Sequence, residues 1–248
     1  MRKFLIAALA ALTSIAAVTA VASGQTEEPP AGADLTVTIS PTKTGTKKKP
    51  KPTKVSLTLK NEDSSQTADR LQVFMAKQIK TSTKGLKKCS AAKLEAQGKA
   101  GCSKASRVGN GTADAIAGVN TGSPAPLKFN ITAYLIGNNR IGFYLEQQGG
   151  EIRVLAKGRF KKASGRYGGV LDIEIPQLAR EFPPGTFNGL VGLKADLYKK
   201  SGKRALFKSV GCTSTRELPF NLVIGFMPNP NPPKAEEVEA FDGANCTK

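Results

Sequence analysis

The 248-residue chain contains no histidine and no tryptophan, and only 6% of its residues are aromatic. Histidine is the commonest general base near neutral pH and the commonest metal ligand. Its absence excludes a Ser-His-Asp triad, a Cys-His pair and any histidine-ligated metal site. The scarcity of aromatic rings disfavours stacking on sugars and on nucleic-acid bases. We therefore predict a protein that is not an enzyme and that binds no metal and no cofactor.

The N-terminus has the pattern of a secretory signal peptide. Arg2 and Lys3 precede the apolar residues 4–22, which end in a small-x-small sequence at Ala22. We expect cleavage there, followed by a disordered leader over residues 23–33; an uncleaved anchor is the alternative. Cleavage removes two of the 37 basic residues and none of the 19 acidic ones, which leaves a net charge of +16. The mature chain is expected to be secreted, without a membrane span, and free or associated with the cell wall.

Four cysteines follow the predicted signal peptide: Cys89, Cys102, Cys212 and Cys246. An even number in an exported chain is typical of a disulfide framework. Three pairings are possible, and their order in the sequence favours Cys89–Cys102 and Cys212–Cys246. A zinc site is the alternative, but the chain has neither a Cys-x-x-Cys pair nor a histidine to complete it.

Alternation of apolar and polar residues recurs along most of the chain, as expected for strands with one buried face. It predicts eleven strands, at residues 35–39, 55–59, 71–79, 112–117, 126–136, 140–147, 151–160, 169–175, 190–198, 205–210 and 217–226. Strands and helices do not alternate, so we predict an all-β fold, an antiparallel β-sandwich that is immunoglobulin-like or larger. One domain over residues 34–248 is preferred, and two small β domains divided near residues 120–125 are the alternative.

One short helix is predicted between the first two cysteines. Ser90 is a suitable N-cap, residues 91–97 favour helix, and Gly98 is a suitable end. The helix would be stapled by its own disulfide. The Pro-rich, acidic tail after residue 226 contains no predicted strand and is expected to be tied back by Cys246.

Basic residues are concentrated in four clusters. They are Lys47, Lys48, Lys49, Lys51 and Lys54; Lys77, Lys80, Lys84, Lys87 and Lys88; Lys157, Arg159, Lys161, Lys162 and Arg166; and Lys199, Lys200, Lys203 and Arg204. Such clusters attract anionic partners such as a wall polymer or lipid headgroups. A solvated surface that protects sheet edges is the alternative. Lysine outnumbers arginine, which argues against bidentate recognition of bases or phosphates, so no specific nucleic-acid partner is predicted. We assign anion binding to Lys47, Lys48, Lys49 and Lys51.

Asp172 and Glu174 are two residues apart on one predicted strand, so their side chains share a face. A pair of carboxylates is the minimum equipment of a glycosidase-like enzyme. The solvent face of an amphipathic strand is the preferred interpretation.

Several segments resemble secreted proteins of unknown function from high-GC Gram-positive bacteria. They are GLKKCSAAKL (85–94), GCSKASRVGNGTA (101–113), GRYGGVLDIEIPQL (165–178) and VGCTSTRELPFNLVIGF (210–226), with the closing Cys246. The chain departs from that pattern at Glu217-Leu218, where an aromatic residue is usual. The resemblance implies a disulfide-stapled β fold and brings no activity with it.

These patterns together predict a secreted, non-catalytic envelope or surface protein that associates with anionic cell-envelope polymers. A protein–protein interaction module is the alternative, and a carboxylate-based glycosidase-like enzyme is a further one.

Overall fold

The computed structural model describes residues 32–228 and 237–248. The predicted signal peptide and most of the predicted leader lie outside the described residues. The chain is mostly β structure, organised around one 11-stranded antiparallel sheet that is nearly closed into a barrel.

The regular structure of the described residues consists of sixteen strands, two short α-helices and two single-turn 3₁₀ helices, Gly98–Gly101 and Lys104–Ser106. The strands are β1 (Ala33–Ser40), β2 (Lys51–Pro52), β3 (Lys54–Asn61), β4 (Ala68–Ala76), β5 (Ile79–Thr81), β6 (Arg107–Ala117), β7 (Ala125–Gly137), β8 (Arg140–Gln147), β9 (Arg153–Lys161), β10 (Tyr167–Glu174), β11 (Asn188–Leu197), β12 (Lys200–Ser201), β13 (Arg204–Ala205), β14 (Phe207–Ser209), β15 (Glu217–Phe226) and β16 (Glu237–Asn245). The α-helices are α1 (Ala91–Gln97) and α2 (Gln177–Arg180). The large sheet has the order β1-β3-β11-β6-β7-β8-β9-β10-β4-β15-β16, and a small sheet has the order β2-β14-β5.

The period-two pattern of the strands places one face of the sheet inside. In β1, Leu35, Val37 and Ile39 are buried, whereas the threonines between them are exposed. Leu35 and Val37 pair in register with Leu59 and Leu57 of β3. Buried side chains from all eleven strands belong to one apolar cluster inside the sheet. The predicted strands are confirmed at this level, because the alternation identifies the buried face.

The two edge strands, β1 and β16, lie side by side at the seam of the sheet. Eleven antiparallel strands place the first and last in the same direction, so an antiparallel ladder cannot join them. Instead, a side-chain hydrogen bond and an isolated parallel bridge join the two sides of the seam. The Asp242 carboxylate accepts a hydrogen bond from the Val37 N–H, and Lys43 forms a parallel bridge with Thr247.

The predicted boundaries were wrong in four places. The strand predicted at 205–210 is divided into β13 and β14, which belong to different sheets. The tail contains a full strand, β16, in which buried Val238 and Ala240 alternate with exposed Glu237 and Glu239. The strand predicted at 112–117 begins at Arg107. The one predicted at 71–79 is divided into β4 and β5, because the sheet turns at that point to form the small sheet.

Both predicted disulfides, Cys89–Cys102 and Cys212–Cys246, are confirmed. The Ser90 hydroxyl caps α1 by accepting from the Lys93 N–H at 3.2 Å, and Gly98 ends it with φ +59°. The helix packs on the outer wall of the sheet, where buried Leu94 belongs to a second cluster with Tyr134 and Tyr144.

One long connection crosses an end of the sheet. β10 and β11 lie on opposite sides of the strand order, with four strands between them one way round and five the other. The residues that join them, 175–187, therefore pass over the opening; we call them the crossover segment. They include α2. Hydrogen bonds from the Ile175 N–H to the Asp69 carbonyl (2.9 Å) and from the Asn120 side chain to the Gly185 carbonyl (2.9 Å) hold this segment.

The strands on either side of residues 118–124, β6 and β7, are neighbours in the large sheet. The single domain over residues 34–248 stays a prediction.

Candidate functional site

The strand directions bring four lysine- and arginine-rich segments to one end of the large sheet. These segments are residues 41–53, 77–88, 162–166 and 198–216, and together they define what we call the basic end. None of the four contains an acidic residue. Strand pairing between distant parts of the chain therefore joins most of the separate basic clusters into one surface.

The small sheet β2-β14-β5 holds three of these segments together. Thr53 donates its N–H to the Phe207 carbonyl at 3.0 Å, and Ser82 donates to the Leu206 carbonyl at 2.9 Å. Leu206 and Phe207 are fully buried beneath it. The hydroxyls of Thr53 and Ser209 hydrogen-bond at 3.0 Å, also fully buried. The basic end is therefore built on a packed base.

The loop with Lys47, Lys48 and Lys49 is closed on itself. The Thr46 N–H donates to the Lys49 carbonyl at 3.0 Å, and the Lys49 N–H donates to the Thr46 hydroxyl at 3.0 Å. Gly45 is required beside it, because a Cβ there would lie 2.5 Å from the Lys49 carbonyl oxygen. The three lysines are exposed at the tip, and Lys51 is half-buried in β2.

Lysines from different segments also face one another across the small sheet. Lys80 of β5 and Lys208 of β14 are directly paired in register. Like charges in such positions repel each other unless an anion lies between them or the ammonium groups diverge. The Lys208 ammonium donates a hydrogen bond to the Lys203 carbonyl at 2.9 Å.

The ion pairs of the described chain lie on the walls of the sheet. Lys54 pairs with Asp196 at 2.9 Å, and Lys157 pairs with Glu95 of α1 at 2.7 Å. For Lys47, Lys48, Lys49 and Lys51, no carboxylate of residues 32–228 or 237–248 lies within 4.0 Å of the ammonium group. Their charges are available to an outside anion.

The third predicted cluster is divided by the structure. Lys157 and Lys161 lie on the wall in ion pairs, Lys161 with Asp172. Arg166 lies at the basic end, where its guanidinium stacks 5.0 Å from the Tyr167 ring and 5.3 Å from the Phe241 ring.

The opposite end has the reverse charge balance. Its segments are residues 62–67, 118–124, 148–152 and the crossover segment, and we call it the crossover end. These segments contain one basic residue, Arg180, and four acidic ones: Glu62, Asp63, Glu151 and Glu181. The described molecule is therefore electrically polar from end to end.

Asp172 and Glu174 both face outward on β10, in an open depression of about 610 Å³. The Arg70 guanidinium binds the Asp172 carboxylate with two hydrogen bonds, of 2.7 and 3.0 Å. Hydrogen bonds from Arg70, supported by Lys161, lower the pKa of Asp172 from 3.8 to about 2. A carboxyl group held ionised in this way is a poor proton donor at neutral pH.

The four cysteines are all in disulfides, so the chain offers no thiol nucleophile. Within the described ranges, no three acidic or cysteine side chains cluster as a metal ion would require. No helix there is long and apolar enough to cross a bilayer.

Two spaces in the structure were not anticipated from the sequence. A cleft of about 1060 Å³ separates α1 from the crossover segment, whose Leu178 and Phe182 are exposed on its rim. A smaller cavity, of about 110 Å³, lies inside the sheet. Both depend on where the crossover segment lies, and no local pattern predicts its path.

Comparison of the chain with protein families, with curated proteins and with solved structures finds no match.

Proposed function

We propose that this chain is a secreted, non-catalytic protein of the cell envelope, and that its basic end associates with anionic envelope polymers. The observation that supports this function most is the convergence on one end of four basic segments that contain no acidic residue, while the segments at the other end are mainly acidic. A polar charge distribution of this kind orients a protein towards an anionic surface and speeds encounter with it.

The chemistry of the basic end favours a diffuse mode of binding. Lysine ammonium groups are hydrated point charges on flexible stems, suited to polymers whose charges have no fixed geometry. At the exposed tip, Lys47, Lys48 and Lys49 form no ion pair with a carboxylate of the described residues. We place the anion contact there and on Lys51, with no enclosing pocket.

The non-catalytic part of this proposal has three supports. The chain has no histidine, all four cysteines are in disulfides, and Asp172 is held ionised by Arg70. The disulfides are also consistent with an extracellular protein. Export through residues 1–22 and the resemblance to secreted proteins of high-GC Gram-positive bacteria stay predictions.

We propose further that the sheet is flattened, so that its opposite walls pack on each other like the layers of a sandwich. The supporting observation is the apolar cluster to which every strand of the large sheet contributes.

Salt dependence tests the functional proposal. The mature protein is sedimented with purified cell walls, with phosphatidylglycerol vesicles and with uncharged phosphatidylcholine vesicles, over a series of salt concentrations. Retention on the anionic particles at low salt, lost once the screening length falls below about 8 Å, is the expected result. Retention that high salt does not change, or none at low salt, would overturn the electrostatic proposal and favour a protein partner.

A further inference from the structure

The cavity inside the sheet is enclosed almost entirely by apolar groups. Asn188 supplies the one polar side chain in its lining, and the others come from Leu, Ile, Val, Phe, Ala and Pro residues. At about 110 Å³ it far exceeds the space that one water molecule needs. Water in such a cavity would find Asn188 as its one polar side-chain partner, fewer than the two to four that a buried water needs, and a void of this size costs packing energy.

Small side chains on the walls create this space. Ala68 of β4, Ala113 and Ala115 of β6, Ala156 of β9 and Ala195 of β11 all line it. Closed sheets with more than about eight strands are too wide for side chains to fill unless the residues are bulky. Alanine at these positions leaves a local cavity between the facing walls, whereas Phe207 and Leu206 fill the interior at the basic end.

The crossover segment forms the roof of the cavity. Pro176 and Ala179 line it from above, and the Asn188 side chain donates to the Ala179 carbonyl at 3.2 Å. Leu190 and Leu193 of β11 line it and are only partly buried, although they belong to the interior face. The roof is therefore held by a few hydrogen bonds and covers apolar surface that the core does not fill.

We propose that this cavity binds a small, uncharged, apolar molecule, of the size of a single aromatic ring. Its volume is close to that of apolar protein cavities of about 150 Å³ that take up benzene. A charged ligand is excluded, because no charged group lines the cavity to compensate its desolvation. This site is separate from the basic end and does not depend on the function proposed for it.

Benzene is the probe, and benzylammonium, which has the same ring with a charge, is its control. Thermal unfolding of the mature protein is measured with each. Benzene is expected to raise the Tm by at least about 2 °C at saturation, because it binds only the folded state. Benzylammonium is expected to leave the Tm unchanged.

Matched variants place the effect in the cavity. Ala113→Leu fills it and should abolish the benzene shift, while Ala92→Leu adds the same atoms on the exposed side of α1 and should retain it. If A113L fails to fold, nuclear Overhauser spectra of the wild-type protein with benzene provide the test. They should show contacts between the benzene protons and the methyl groups of Ile131 and Ile173. No benzene shift in the wild type, an equal shift in A113L, or an absence of those contacts would overturn the proposal.

Discussion

The two ends of the sheet are built in opposite ways. The basic end has covalent support: Cys212–Cys246 joins the segment before β15 to the end of β16, and Leu206 and Phe207 fill the interior below. The crossover end has no disulfide in the described chain, and hydrogen bonds from side chains such as Asn120 and Asn188 hold its roof over a cavity. Charge divides along the same axis. The densely packed end thus carries the basic segments, and the segments at the end with the cavity contain more acidic than basic residues.

Removing Cys212–Cys246 should have the largest effect on stability. The bond closes 34 residues, and in the chain-entropy model such a loop is worth about 3–4 kcal/mol. The C212A/C246A variant should therefore unfold at much lower urea concentration. C89A/C102A is the comparison, since it removes a shorter loop of 13 residues on the outer wall and should cost less. If C89A/C102A lost as much free energy of unfolding as C212A/C246A, or more, Cys212–Cys246 would not be the main covalent support of the fold.

The crossover end should be sensitive at Gly189. A Cβ there would lie 1.7 Å from the Ser64 carbonyl oxygen, so the chain must shift. Gly189→Ala should cost about 2 kcal/mol in urea unfolding, the range of over-packed interiors. Gly122→Ala, in open space at the same end, is its control and should be neutral or slightly stabilising. If Gly189→Ala left the free energy of unfolding unchanged, the backbone at the crossover end would be able to shift without cost.

Asp172, on the wall between the two ends, should make the stability of the fold depend on pH in the acid range. Its pKa in the folded protein, about 2, lies below the ordinary 3.8, so ionisation favours the fold. That contribution is complete above pH 4 and is lost as the pH falls towards 2. Because Arg70 and Lys161 are about half exposed, we expect on the order of 1 kcal/mol. Asp172→Asn should flatten the stability curve between pH 4 and pH 2; an unchanged curve would contradict the pairing.

Much of the wall could be predicted from the sequence, because its signals are local. Alternation in residues 35–39 and capping by Ser90 are each read within a few residues, and the cysteine pairing was predicted from the order of the cysteines in the sequence. β16 shows the same alternation, but its glutamates and the prolines before it concealed the strand. Its pairing with β15 supplies the stabilisation that its composition does not suggest.

The ends could not be predicted, because they depend on strand order. Lys51, Lys80 and Lys208 are far apart in sequence and meet only because β2, β14 and β5 pair. Likewise, the crossover segment covers the opening only because β10 and β11 lie on opposite sides of the sheet. Sequence reasoning identified the lysine clusters but could not place them together, and it missed the cavity altogether.

Replacing the lysines at the tip should have the smallest effect on stability. Lys47, Lys48 and Lys49 are exposed and have no acidic partner in the described chain, so K47Q/K48Q/K49Q should change the free energy of unfolding by less than about 0.5 kcal/mol. A clear stabilisation in low salt would show that these charges repel one another strongly in the folded protein.

We propose that the basic end binds anionic surfaces because its charges lie together, and not because of the net charge of the chain. A comparison of three proteins tests this directly. Binding to phosphatidylglycerol vesicles at low salt is compared for the wild type, for K47Q/K48Q/K49Q, and for K60Q/K128Q/K194Q. The last variant removes the same three charges from exposed positions on the walls of β3, β7 and β11. We predict a loss of affinity of at least about tenfold for the variant at the basic end and less than about twofold for the wall variant. Equal losses for both would contradict an oriented basic end and leave net charge alone as the explanation.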